Sequence, residues 1–307
     1  MRIVVVGSGL AGVTVAESLA RENDVIVVTA ETHGYYARPR LSHGFSSDAD
    51  ILLKPFGSFA SVRVLADVRV ERIDRNNQLL IAGSAALPYD VLVLATGSAA
   101  RIPAPLAPFH SQFFTLNSLE DLLAIRRRRA EMKVRRWTIV GGGLIGCELA
   151  SDLHKAGDKV EILHRESRLL ELQLEPEESR ALHEHFNRLG IDVLYSQDVR
   201  EIGPDTIVCA GFAPRVELAR DAGLATERGI VVNEFLRTDD PAIYAVGDVA
   251  QVGARLYPFV SPIRSQALWL SEHIAGRASA PWSPPAFRPV VKIHGFAIRR
   301  QAVAVRG

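Results

Sequence analysis

The chain has 307 residues, 48% of them hydrophobic, and its 36 lysines and arginines are balanced by 35 aspartates and glutamates. That length allows about two domains with well-formed cores, and the charge balance recommends neither nucleic acid nor a membrane surface as partner. No apolar run approaches the roughly 18 to 20 residues of a transmembrane helix, and Cys147 and Cys209 stand far apart with no CxxC pair, so the expectation is a cytoplasmic protein without a disulfide framework.

In chain order, the opening apolar run breaks too early for a signal peptide and reads as a buried strand, Ile3 to Val6. Gly7-Ser-Gly9-Leu-Ala-Gly12, an amphipathic stretch to Leu19 and a strand Val25 to Val28 complete a βαβ unit. Leu87 to Gly97 is a buried strand ending in the small-residue turn Ala95-Thr96-Gly97, and the Pro-rich crossover from Arg101 to Pro108 marks a domain boundary. A helix opens after Ser118 with Asp121 as its cap partner. Its charge runs from Glu120 and Asp121 to Arg126 through Arg129, which complements the helix dipole. The arginine run has two readings: a solvated helix face, or, with Lys133, Arg135 and Arg136, a surface that steers an acidic partner.

The first pattern then returns. Strand Thr138 to Val140, Gly141-Gly-Gly143-Leu-Ile-Gly146, a helix to about His154 with Gly157 after it, and strand Lys159 to Leu163 form a second βαβ unit. A helix Pro176 to Leu189 stops at Gly190 and leads into strand Asp192 to Tyr195. Beyond a short run to Thr206 come strand Ile230 to Val232, the segment Asp240 to Asp248, and a helix from about Pro262 to Ala275.

A pyrophosphate needs backbone N–H donors at close range and the positive end of a helix, so glycines occupy the turn that holds it. Gly7, Gly9 and Gly12 meet that need, and Glu31 follows about twenty residues later, where a carboxylate accepts from the ribose hydroxyls of an ADP moiety. Gly141, Gly143 and Gly146 repeat the glycines. In place of the acid the second copy reads His164-Arg165-Glu166-Ser167-Arg168, and an arginine there suits a 2′-phosphate, favouring NADPH over NADH. The alternative is that Arg165 is an exposed turn residue and Glu166 serves the ribose. Two ADP-binding units in one chain make sense when one nucleotide is a resident redox carrier and the other visits it, and a flavin links two-electron hydride chemistry to one-electron acceptors.

These segments, with Tyr36 to His43, Ala210 to Arg215, Ala245 to Val249 and Ser261 to Gln266, resemble the FAD-dependent pyridine nucleotide oxidoreductase superfamily over nearly the whole chain. Within it the chain is similar to the rubredoxin and flavorubredoxin (nitric oxide) reductases. The resemblance implies an α/β fold with two Rossmann-like dinucleotide-binding domains, glutathione-reductase-like, with the C-terminal interface domain largely absent. It implies FAD binding by residues 1–116 and 229–285, NAD(P)H binding by 117–228, and a remnant of the interface domain in 286–307. Gly247 and Asp248 match the Gly-Asp that binds the flavin ribityl and phosphate, Ala95, Thr96 and Gly97 belong to the flavin site, Val70 matches the position whose backbone pairs with adenine, and Arg38 a basic residue beside the flavin. Gly211 joins the second glycine loop in framing the nicotinamide nucleotide. The helix after Pro262 is expected to aim its N-terminus at the flavin N1 and O2.

There are departures. Relatives place a Lys after Leu-Ser to pair with the Glu of the GxGxxGxE motif near flavin N5; here the pair becomes His43 with Glu148, an imidazole with a carboxylate. No CxxC exists for a dithiol mechanism, and Cys147 reads as a packed small residue. Pro289 to Phe296 resembles only the interface domain's first strand, and the stretch Val199 to Ile207 is shorter than the family's β-meander. The expected function is a hydride transfer from NADPH or NADH to FAD, with electrons passed to a small rubredoxin-like protein, by a monomer or a partner-completed assembly. The alternatives are an NAD(P)H oxidase or quinone reductase, and a low-turnover FAD-binding sensing or assembly subunit.

Overall fold

The structure, a computed structural model, describes residues 1–45, 51–200 and 202–297, with the side chains of 52 and 53 excepted. Contacts divide the chain into two units: Met1–Ala37, Ile51–Ala99 and Ala213–Arg288 form one, and Arg38–Asp50, Ala100–Phe212 and Pro289–Gly307 form the other.

In the first unit, strand β1 (Arg2–Val6) pairs in parallel with β2 (Asp24–Val28) on one side and with Val91–Leu94 on the other. Ile243–Ala245 and Arg63–Leu65 complete a five-stranded parallel sheet. These strands are Val- and Ile-rich without alternation because both of their faces are buried. Val4, Val5, Leu92 and Val93 are fully buried. Helix α1 (Leu10–Leu19) packs against α6 (Val260–Ile274). Val70–Asp74, Leu79–Ala82 and Ala85–Pro88 form a separate antiparallel sheet, and the short α5 (Glu217–Asp221) packs on its first strand.

The second unit repeats the plan on a smaller scale. Its parallel sheet runs Asp192–Leu194, Lys159–Leu163, Arg136–Val140, Thr206–Val208. It carries α2 (Leu119–Glu131), α3 (Leu144–Lys155) and α4 (Pro176–Leu189). Helix α2 opens with the expected capping box, Ser118 accepting from the Asp121 N–H and Asp121 returning a bond to the Ser118 N–H. Helix α4 ends at Gly190 in the left-handed conformation. Trp137, Ile139, Leu149 and Phe186 form its fully buried centre.

The boundaries differ from the sequence expectation for packing reasons. The chain leaves the first unit at Ala100 rather than at 117, and rejoins it at Ala213 rather than at 229, because α5 packs on the strand Val70–Asp74. The 3-10 turn Arg38–Phe45 belongs to the second unit, since it packs on α2 and α3. The segment from Pro289 is also part of that unit. Rather than a strand of a separate domain, its described residues run beside α3 and close on the isolated bridge Ile293–Phe296.

Candidate nucleotide sites

Both glycine loops sit at the carboxyl ends of a central parallel strand, between its two neighbours. That is the switch point where open α/β sheets bind ligands. The Gly7 N–H donates to Val28 O at 2.8 Å, and the Gly141 N–H to Leu163 O at 2.8 Å. Gly7 has φ +108° and a Cβ there would lie 2.3 Å from Ala95 O; Gly141 has φ +117° and its Cβ would lie 2.4 Å from Cys209 O. Gly12 and Gly146 let their helices approach so closely that a Cβ would come within 1.9 Å of Gly7 O and Gly141 O, respectively. Gly9 and Gly143 face open space and are the N-caps of α1 and α3, with no side-chain cap bond. The first N–H groups of each helix are therefore left for an external acceptor.

Around the first loop, Glu31 lies three residues beyond β2, and the Tyr36 hydroxyl donates to both of its carboxylate oxygens at 3.0 Å. Ala95 to Gly97 follow the strand Val91–Leu94; the Thr96 hydroxyl donates to Arg215 O at 2.9 Å and Gly97 turns at φ +66°. Gly247 and Asp248 follow Ile243–Ala245, and a Cβ on Gly247 would stand 3.1 Å from Ala11 Cβ, so this turn lies against the start of α1. The Gly247 N–H donates to Gln266 Oε1 at 2.8 Å, and the Ser98 hydroxyl to Asp248 Oδ2 at 2.7 Å. Val70 begins the strand Val70–Asp74 at an irregularity in its pairing. Open helix N–H groups, side-chain-free glycines and two acids beyond strands on either side of the loop fit an extended dinucleotide such as FAD.

The second loop has the same backbone and different supports. His164 is 5% exposed. Its Nδ1 accepts the Gly142 N–H at 3.0 Å, and its Nε2 lies 3.0 Å from Arg168 O. The Arg168 guanidinium donates to Leu174 O at 2.5 Å and to Glu171 O at 2.9 Å, so it folds the 168–174 loop. Of the three basic residues expected to meet a 2′-phosphate, Arg165 alone presents its guanidinium. Its side chain is 76% exposed, and it donates to Glu166 Oε1 at 3.0 and 2.8 Å. Gly211 turns at φ +99°, matching Gly97 in the first copy, and its carbonyl accepts the Arg101 N–H at 3.0 Å.

Cys147 donates from Sγ to Gly142 O at 3.3 Å, a packed position under the loop. Burial pushes its thiol well up and that of Cys209 up to about 12, so both are neutral thiols rather than nucleophiles. His43 is half-buried on the Arg38–Phe45 turn that packs on α3, where Glu148 sits. Among the described residues no hydrogen bond joins the two. Glu148 Oε1 instead accepts the Lys292 N–H at 2.9 Å, and burial raises this carboxyl to about 7 against the opposing pull of that bond. Arg38 donates to Asn117 O at 2.8 Å, which anchors it to the loop before α2.

The sequence reading missed the partners of Glu148. His294 donates from its backbone to Ser151 Oγ at 2.9 Å, and its Nε2 lies 2.7 Å from the buried Asp152 Oδ1. Glu148, Ser151 and Asp152 share one face of α3 at i, i+3, i+4 spacing, where an apolar stripe is the norm, and that polar stripe was the available signal. Likewise, the arginine run of α2 is mostly engaged. Arg126 donates to Gly44 O, Arg128 pairs with Asp205 at 2.7 Å, and Arg129 forks onto the buried Asp158 at 2.7 and 2.8 Å. The run clamps the second unit together, which leaves little of it for an acidic partner.

Among the described residues no helix is long and apolar enough to cross a membrane. Residues 1–262 match the family model for pyridine nucleotide-disulphide oxidoreductases. The nitric oxide reductase FlRd-NAD(+) reductase of Klebsiella pneumoniae is 34% identical over 92% of this chain and 81% of its own length, and that of Vibrio vulnificus is 32% identical over the same shares. Among solved structures, NADH:rubredoxin oxidoreductase from Clostridium acetobutylicum superposes with a TM-score of 0.85 at 28% identity, over 96% of this chain and 80% of that one. The putidaredoxin reductase in its covalent complex with putidaredoxin gives 0.83 at 29% identity, over 93% and 78%. With both glycine loops inside the matched span, the chain belongs to the pyridine nucleotide-disulphide oxidoreductase family, whose members are FAD enzymes that use pyridine nucleotides.

Proposed function

We propose that the chain oxidises NAD(P)H through FAD held at the first glycine loop and delivers the electrons to a small redox protein of the rubredoxin kind. The observation that carries this reading is the repetition of one loop geometry on two sheets, with φ of +108° and +117° at the leading glycines, in a chain whose two cysteines are both neutral thiols, Cys147 buried and Cys209 partly so. Bound FAD supplies acceptance of a hydride as a pair and release of electrons singly. The loop Gly7 to Gly12 and the start of α1 hold the pyrophosphate, Glu31 the adenosine ribose, Val70 the adenine by its backbone, and Asp248 the ribityl chain. Thr96 and Gly97 complete that site, and Arg38 is the proposed basic partner of the flavin. Gly141, Gly143, Gly146 and Gly211 hold the visiting nucleotide.

Glu148, with its carboxyl raised to about 7, is suited to hold or release a proton near neutral pH, and His43 on the adjoining turn is its proposed partner. With neither Cys147 nor Cys209 a thiolate, no dithiol of this chain would relay electrons, and they would pass from a bound flavin to the acceptor directly. The relatives named above act on flavorubredoxin, rubredoxin and putidaredoxin, which supports a protein acceptor of that class. A reduced nicotinamide pool and two unpaired thiols both suit a cytoplasmic setting.

NADPH is the proposed donor, recognised by Arg165. A second reading is favoured by the register: β2 and Lys159–Leu163 occupy equivalent places, and Glu166 stands three residues past its strand as Glu31 does, which suits the ribose hydroxyls of NADH. Anaerobic mixing with each nucleotide tests both the core and this choice. Rapid bleaching of a yellow protein is expected, followed by faster reoxidation by a rubredoxin than by oxygen or quinone. A colourless protein that takes up no FAD, or faster turnover with quinone, rejects the reading.

A further inference from the structure

Beneath the second glycine loop, a buried imidazole holds the loop's middle residue. The residue at that point in a phosphate-binding turn has its N–H fixed by whatever accepts it. The Gly142 N–H donates to His164 Nδ1 at 3.0 Å, so Nδ1 carries a lone pair and the ring's proton lies on Nε2, which is 3.0 Å from Arg168 O and 3.3 Å from Glu171 Oε2. Both nitrogens are thereby used, one on the loop and one on the 168–174 segment. The Tyr195 ring packs edge-on against the imidazole at 6.4 Å, and Tyr195 is in turn held by His183 Nδ1 at 3.0 Å. Gly142 leaves no alternative occupant, since a Cβ there would meet His164 Cγ at 2.8 Å and Leu169 Cδ2 at 2.6 Å.

The first unit shows that this is a second solution to one problem. Residue 29 follows β2 as residue 164 follows its strand, and residue 8 corresponds to residue 142. There the two side chains are small hydroxyls, Ser8 Oγ and Thr29 Oγ1, buried 2.9 Å apart. In the second unit one large ring replaces both, and it reaches the backbone itself.

We infer that His164 is a positioning residue for the visiting nucleotide: by accepting the Gly142 N–H it sets the loop so that the neighbouring N–H groups face the pyrophosphate, without itself touching the ligand. This rests on the reading that the second loop binds NAD(P)H. A residue acting this way is needed for nucleotide affinity, and it is dispensable for flavin retention and for the reduction step once the nucleotide is bound.

The two amide isosteres of histidine separate its nitrogens. In His164→Asn the amide oxygen takes the place of Nδ1 and keeps an acceptor for Gly142, whereas His164→Gln reaches only where Nε2 stood. Stopped-flow titration of flavin reduction with NADPH and NADH is expected to show the Gln variant weakened about five- to twentyfold in nucleotide affinity, from loss of one buried backbone hydrogen bond. Its limiting rate and flavin content should be unchanged, and the Asn variant should stay within about twofold. Equal affinity in both variants and the parent, or equal loss in both, overturns the inference. 15N NMR of histidine-labelled parent protein, with the His164 signal identified by its absence from the Asn variant, reads the tautomer directly; a ring protonated on Nδ1 also overturns it. Failure of the underlying reading is distinct, since then neither nucleotide reduces the flavin of the parent.

Discussion

The two glycine loops share a positive φ at their leading glycines, the hydrogen bond to the neighbouring strand and the close helix approach, in quite different surroundings. Around the first, the acid is clasped by a tyrosine, the second acid is held by Ser98, and the turn that carries it is fixed by Gln266. Around the second, the equivalent acid, Glu166, is half-exposed and pairs with Arg165, whose side chain lies largely in solvent. On the proposed assignment of FAD to the first loop and NAD(P)H to the second, the contrast is the one expected between a resident cofactor and a visiting one. A resident site benefits from acids locked before the ligand arrives, because preorganisation slows dissociation. A visiting site needs the same phosphate grip with a solvent-facing determinant that ligand can enter and leave.

The sharpest way to break the comparison is at the leading glycines. Gly7→Ala and Gly141→Ala each put a Cβ within 2.4 Å of a backbone carbonyl at positive φ. The first should yield colourless apoprotein; the second should stay yellow and bleach with dithionite, while NAD(P)H reduction falls by more than about a hundredfold, or about 2.7 kcal/mol. Equal flavin loss in both variants would show that the loops are not separable.

A stability contrast follows from the opposite ends of the same sheets. Arg129 and the Trp137 Nε1 both satisfy Asp158, whose side chain is fully buried. Asp158→Ala strands the arginine and should cost about 3–5 kcal/mol in urea unfolding of the second unit. In the first unit the exposed Arg2–Asp24 pair, at 2.8 Å, should contribute under about 1 kcal/mol. Asp248→Ala removes the acid held by Ser98 and should weaken FAD retention about ten- to a hundredfold, read by flavin release on dilution. Arg165→Ala should lower NADPH affinity about tenfold and leave NADH little changed; the reverse outcome selects Glu166 as the ribose ligand.

The smallest expected effect concerns Glu148. Its carboxyl is raised by burial from 4.5 to about 7, so between those values the folded state binds more protons than the unfolded one, and stability falls as pH rises through that window. Glu148→Gln should flatten this dependence and be relatively more stable above pH 7. An unchanged pH profile of unfolding would place the titration elsewhere.

Much of this was legible because it is local. The βαβ units, both glycine loops, the α2 capping box and the Gly190 stop rest on residues a few positions apart, whose hydrogen bonds the helix or turn itself supplies. The strand Lys159–Leu163 falls where its pattern placed it. Long-range partners behaved otherwise. Nothing in Arg126 to Arg129 announces Gly44, Asp205 and Asp158 as their acceptors, so a helix that looked like a solvated or steering face turned out to be a clamp. Nothing in His164-Arg165-Glu166-Ser167-Arg168 says which base is buried, which folds its own loop and which faces water.

By itself, then, the sequence carried the two glycine-rich grips and the lack of a CxxC pair, because each of these depends on residue types at short spacing, while the flavin role proposed for Gly247 and Asp248 came from the family resemblance. The tertiary structure decided which charges are free to act. Folding brings Lys292 to Glu148, His294 to Asp152 and His164 under Gly142 across gaps of up to 144 positions, and a polar side chain removed from water must take whatever partner the packing brings to it.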